Sequence, residues 1–216
     1  MNISIREPGS AITHFIAMIL AIGSAIPLLT KASGFGSMYT IAMFIFIFTM
    51  ILLYGASTTY HSVTLAPHRI KIFKKIDHMM IFVMIAGSYT PVCLLVLDHH
   101  TGYRMLFLVW AVAILGILIK ALWINCPKWF SSVLYIGMGW LCVSAIKSIL
   151  ELLSTQAFLW LLAGGLLYTI GGVIYALKLK VFNARHANFG SHEIFHLFIM
   201  AGSFCHFVFM YQYVII

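Results

Sequence analysis

Apolar residues in this chain run together in blocks instead of alternating with polar ones. The blocks cover roughly residues 11–29, 39–61, 77–97, 105–124, 130–149, 157–177 and 192–215. Each is about twenty residues long, enough for a helix rising about 1.5 Å per residue to cross about 30 Å of hydrocarbon. The stretches between them are short and polar, as from Lys31 to Ser37 and from Asp98 to Arg104, which suits helical hairpins meeting water. The pattern predicts an all-α membrane protein: one seven-helix transmembrane bundle over residues 1–216, with no soluble domain or internal repeat. The first block carries His14 and Pro27 and has no small-residue cleavage pattern behind it, so it reads as a retained span and not as a signal peptide.

Composition agrees with the blocks. Hydrophobic residues make up 62% of the 216 and charged residues 8%, whereas soluble chains carry about a quarter charged. Cys93, Cys126, Cys142 and Cys205 are scattered without a Cys-x-x-Cys pair, so neither a disulfide framework nor a thiolate metal site is indicated.

The formal charge of +8 is unevenly distributed. Arg6, Arg69, Lys71, Lys74, Lys75, Lys120, Lys128, Lys178, Lys180 and Arg185 fall on the side of the amino terminus, and Lys31, Arg104 and Lys147 on the other. Because basic residues are enriched in cytoplasmic connections, the amino terminus is expected inside and the carboxyl terminus outside, in a bacterial plasma membrane. Basic residues flanking spans are attracted to anionic lipid headgroups, so lipid and not nucleic acid is the expected partner. The sequence says nothing of oligomeric state.

Ionisable side chains inside spans are costly, which makes the few present here candidates for function. His61 ends the second block four residues after Ser57, and this spacing puts both on one helix face. His192 and His196 repeat the spacing at the start of the seventh block, and Asp77 opens the third beside His78. With the orientation above, all of these lie in one layer near the inner face, within about 11 Å or two helical turns. A lone intramembrane histidine reads as a hydrogen-bonded helix contact. Three at one depth beside a carboxylate form the ligand set of a catalytic zinc with an open position. His192, Glu193 and His196 also spell H-E-x-x-H, in which the glutamate is the general base of zinc proteases, so the base is Asp77 or Glu193. His206 lies about 15 Å deeper and too far to share the ion, and is expected to hydrogen-bond within the bundle or line a cavity. His14 is a candidate neighbour of the ligands, while His68, His99, His100 and His186 read as solvated. The run Gly87, Ser88, Tyr89, Thr90, Pro91 is expected to kink the third helix.

In order along the chain stand Glu7 with Thr13 and His14, then Ser57-Thr58-Thr59-Tyr60-His61, then Asp77 with the Gly87 to Pro91 run, then Ser191-His192-Glu193-Ile194-Phe195-His196. In this combination the chain resembles the hemolysin III proteins, the bacterial branch of the progestin and adipoQ receptor family, within the wider group that includes the alkaline ceramidases. The resemblance implies seven spans, an inside amino terminus and zinc near the cytoplasmic face. It also implies His61, His192 and His196 as ligands, Asp77 holding the water and Ser57 beside the reaction centre. The family often has Asn three residues after the amino-terminal Glu; here that position is Ser10.

The leading expectation is a zinc-dependent hydrolase of a lipid amide or ester bond, with membrane lipid as substrate. The alternatives are a receptor-like or structural sensor in which zinc ties spans together, and a membrane-lysing protein. Outer halves of the spans that are nearly all apolar weigh against a pore.

Overall fold

The computed structural model describes residues 5–177, 180–185 and 189–215; Lys178 and His186 lie outside them. Its helices are α1 (Pro8–Ser33), α2 (Ser37–Ser62), α3 (Pro67–Pro91), α4 (His99–Leu122), α5 (Lys128–Gly139), α6 (Ile146–Leu152), α7 (Thr155–Leu177), α8 (Lys180–Arg185) and α9 (Ser191–Phe209), with no strand among the described residues. A π-helical segment, Val92–Val96, prolongs α3, and another, Met210–Val214, prolongs α9. The 3-10 segment Trp140–Ala145 joins α5 to α6. With these extensions, seven helical stretches among the described residues are long and apolar enough to cross a bilayer. In hydrocarbon no water satisfies backbone amides and carbonyls, so each crossing must close its own hydrogen bonds, as a helix does.

Local chemistry sets the ends. Pro8 and Pro67 open α1 and α3, where a missing N–H costs nothing and the fixed φ suits a helix. Asp98 caps α4 by accepting from the Thr101 amide at 3.0 Å, and this bond holds its carboxyl below the usual value. The turn between α1 and α2 passes through Gly36 at φ 111°, a conformation that a side chain would oppose.

The helices close into a ring: α1 packs on α2, α2 on α3, α3 on α4 and α5, α5 on α7, α7 on α9, and α9 on α1. Met43, Phe46, Ile47, Met50, Leu53 and Tyr54 make α2 the most buried span, whereas Phe107 and Leu122 of α4, 78% and 87% exposed, face outward. Lipid tails are as apolar as leucine, so association rests on close packing and small residues. Ala17, Ala21, Ala42, Ala86 and Ala113 are accordingly buried at the contacts. A methyl on Gly87 would strike Thr49, and one on Gly116 the Phe82 ring.

Three sequence expectations change. The third helix begins at Pro67, so Asp77 lies about 15 Å into it and does not open it. Hydropathy marks where side chains become apolar, and the backbone continues helical through the basic turns holding Lys71, Lys74 and Lys75. The Gly87 to Pro91 run stays helical, and the irregularity falls just beyond it. Pro91 has no N–H to give, and the next turns widen so that the Leu97 amide donates to Val92 O at 3.0 Å. Lys120, counted above among headgroup-anchoring charges, is 1% exposed inside the bundle.

The first turn of α4 sits so close to this π segment that a methyl on Gly102 would collide with the Cys93 carbonyl oxygen. Gly102→Ala is expected to destabilise the protein by about 1–3 kcal/mol, in the range of overpacking, measured as a lowered melting temperature in detergent.

Candidate metal centre

His61 lies at the last turn of α2, and His192 and His196 on the first two turns of α9. Each offers one nitrogen to a cluster in which these atoms all lie within 4.8 Å of one another. Ring centroids are 5.1 Å apart for His61 and His192, 5.3 Å for His61 and His196, and 4.5 Å for His192 and His196. His61 and His196 are buried, His192 half-buried.

The outward nitrogens are held by α1. His61 Nδ1 meets the Glu7 carboxylate, which can only accept when ionised, so Nδ1 carries the proton and the Nε2 lone pair is free. His196 Nδ1 lies 3.1 Å from Thr13 Oγ1, whose own hydroxyl is directed to the carbonyls of Gly9 and Ser10 at 3.0 and 2.9 Å. Thr13 therefore accepts from His196, and that ring too presents an Nε2 lone pair. His192 Nε2 lies 3.3 Å from His61 Nε2, while its Nδ1 is buried without a partner among the described residues. Lone pairs in a buried cluster need a proton or a cation to meet them, and a carboxylate on the far nitrogen is the usual device for orienting a metal-ligating histidine. The donor set fits a zinc ion.

Other α1 groups complete the frame. Ser10 Oγ donates to the Glu193 carboxylate, whose Oε2 accepts from the Gly190 amide at 2.8 Å and caps α9. Ser10 thus ties α1 to α9, and both oxygens of Glu193 are engaged. His14 stacks on His196 with centroids 3.6 Å apart and planes 9° apart, and meets Tyr54 edge-on. Arg6 lies over the Tyr60 ring at 4.2 Å and 3.4 Å from Glu7. The hydrogen bond from His61, and after it the charge of Arg6, hold the Glu7 carboxyl below its usual value against partial burial. A lowered value means that this contact is present above the ordinary carboxylate range and is lost as pH falls through the lowered value.

Asp77 and Ser57 face the same space. Both line a cavity of about 200 Å³ together with His14, His192 and His196, and Asp77 also lines a second space of about 350 Å³ beside His61 and Glu7. Asp77 has His78 Nδ1 at 3.4 Å, and His78 in turn contacts Lys74 O at 2.9 Å and Tyr175 Oη at 3.2 Å. Along α3 the first cavity is lined from Asp77 to Leu97, about 30 Å of helix, and mostly by apolar side chains such as Met84, Ile85 and Val92. It has room for far more than one water. Deeper in the bundle Tyr54 and Tyr168 both meet Ser203 Oγ, at 2.6 and 3.0 Å. His206 lines the cavity and bonds Leu161 O at 3.3 Å.

The structure thus brings together His61, His192, His196, Asp77 and Ser57 and turns Glu193 to capping. Sequence reasoning assigned no role to Glu7, Thr13 or Ser10. An acid and two hydroxyls at the mouth of the first span were a weak signal, since no periodicity links residue 7 to residue 61.

Glu7→Gln is expected to weaken zinc binding about 10–100-fold, as loss of an orienting carboxylate does elsewhere, while leaving secondary structure unchanged. Competition with a zinc chelator measures it.

The chain is similar to known proteins over most of its length. The family described as Haemolysin-III related matches residues 3–207. Hemolysin-3 of Bacillus cereus is 38% identical over 199 residues, covering 92% of this chain and 87% of that protein. The Hemolysin-3 homolog of Bacillus subtilis (strain 168) is 37% identical over 199 residues, covering 92% and 89%. More distantly, the Adiponectin receptor protein of Drosophila melanogaster is 28% identical over 220 residues, covering 93% of this chain and 49% of that protein. With its seven apolar helices and a family match that runs from before Glu7 to beyond His196, this integral membrane protein belongs to the haemolysin-III related family.

Proposed function

We propose that the protein is a zinc-dependent hydrolase of an amide or ester bond in a membrane lipid, acting near the cytoplasmic face of the bacterial plasma membrane. The observation that supports this most is the set of imidazole nitrogens, held from behind by Glu7 and Thr13, at one end of a long apolar cavity.

When bound by His61, His192 and His196, zinc supplies a Lewis acid that lowers the pKa of water toward ~7. Asp77, buried and facing the cluster, orients the attacking water and takes its proton. Ser57, 1% exposed beside it, donates to the oxygen that gains charge as the carbonyl is attacked. Glu193 is a poorer base, since both its oxygens serve Ser10 and Gly190. The apolar walls take the acyl chain and exclude bulk water, and the polar vestibule takes the headgroup.

A receptor-like protein with purely structural zinc would use the same ligands, and Asp77 separates the two readings. The Bacillus relatives carry the name Hemolysin-3, but an apolar cavity lining suits an acyl chain better than a solute path.

Purified protein is expected to hold about one zinc per chain, and His196→Ala to lose it; full occupancy in that variant ends this reading. Asp77→Asn should keep zinc and lose lipid turnover by about 10²–10⁴-fold, the usual worth of a general base, followed by mass spectrometry of released fatty acid. Turnover unaffected by that change removes Asp77 from the mechanism. Dye-loaded vesicles containing the protein should not leak.

A further inference from the structure

The vestibule has a polar feature that the hydrolase reading leaves unused. Lys120, near the end of α4, is 1% exposed and lines it together with Lys74 of α3 and Lys128 of α5. Glu7, Asp77 and Glu193 line it too, but Glu7 and Glu193 come from the α1 and α9 side and already serve His61, Arg6, Ser10 and Gly190.

An ammonium has three N–H donors. Lys120 Nζ spends one on Ser131 Oγ at 2.5 Å and one on Cys126 Sγ at 3.1 Å. Neither acceptor is a carboxylate, and one is a weakly accepting sulfur. The Tyr135 ring face lies 5.7 Å away, near the limit of a useful cation–π contact. Among the described residues no carboxylate lies within 4.0 Å of Nζ. Burying a cation with only neutral acceptors is costly, and such groups are normally paired. Anchoring at the membrane surface does not account for it, because a side chain so enclosed cannot reach headgroups outside the bundle. The α4 terminus does not account for it either: the carbonyl of Ala121 accepts from Lys75, and that of Ile119 from the Trp123 amide at 2.7 Å.

We infer that the vestibule is a binding subsite for a phosphate or similar anionic group, with Lys120 as its central donor and Lys74 and Lys128 at its flank. The group docks between α3, α4 and α5, next to His61 and His192. The consequence for substrate rests on the hydrolase reading: the lipid acted on is an anionic amphiphile whose acidic head sits on Lys120 while its chain enters the cavity.

The test uses full-length protein in phosphatidylcholine nanodiscs at fixed ionic strength, titrated with dihexanoyl phosphatidate, dihexanoyl phosphatidylcholine and inorganic phosphate, with zinc content measured on the same samples. Phosphatidate should bind at least about tenfold more tightly than phosphatidylcholine, the worth of one charge-assisted hydrogen bond. Lys120→Met should remove that preference and Lys120→Arg restore part of it, whereas Lys71→Met, an exposed change on α3 outside the vestibule lining, should leave it intact. Phosphate competing with phosphatidate in a Lys120-dependent way identifies a free anion as ligand; phosphatidate binding without such competition identifies the lipid headgroup. Equal binding of the two lipids by the wild-type protein overturns the inference whatever the variants do, and so does full phosphatidate preference in a folded Lys120→Met. Lys120-dependent binding in protein without zinc would leave this subsite standing and remove the hydrolase.

Discussion

Two imidazole lone pairs in one buried cluster repel each other unless a proton or a cation lies between them. Glu7 behind His61 and Thr13 behind His196 impose that arrangement here, by fixing which nitrogen carries the proton. The same contacts are structural. The amide of Glu7 donates to His61 O at 3.0 Å and that of Arg6 to Ser62 O at 3.5 Å, and Ser10 reaches Glu193. The start of α1 is therefore stitched at once to the end of α2 and the start of α9, and the histidines sit at the junction of three helices.

Around that junction the polarity is graded. On one side is a vestibule lined by lysines, carboxylates and Tyr60; on the other is a cavity whose walls are aliphatic and aromatic down to Leu97 and Met105. Lipid gives helices no hydrophobic reason to associate, so the bundle relies on alanines and glycines at its contacts and on a few polar ties. Those ties concentrate where the chemistry is proposed. The ion site and the closure of the helix ring thus share residues, and a change at Glu7 or Ser10 bears on both.

Much of this was legible without coordinates. Blocks of apolar residues long enough to cross a membrane mark all seven crossings, because burying backbone in hydrocarbon allows so few alternatives. The i, i+4 spacing of His192 and His196, with His61 at a span end, marks the three histidines that the fold brings together. Helix limits were less legible. α3 continues as a helix through three basic turns that hydropathy does not reward, and this moved Asp77 from the mouth of the third span to its interior. Lys120 was misread for a related reason: a lysine at a span boundary resembles a surface anchor until neighbouring helices are seen to enclose it.

The sequence by itself determined class, span number and the histidine pair that opens the last helix, since each follows from spacing along one helix or from the length of one apolar run. Tertiary structure alone decided that Glu7 and Thr13 meet the histidines of other helices, that Ser10 engages Glu193, that Asp77 faces the cluster, and that Lys120 is buried. Each of these pairs residues from different helices, where distance in the chain carries no information about distance in space. Only packing, through the small residues that let helices approach, sets which side chain meets which.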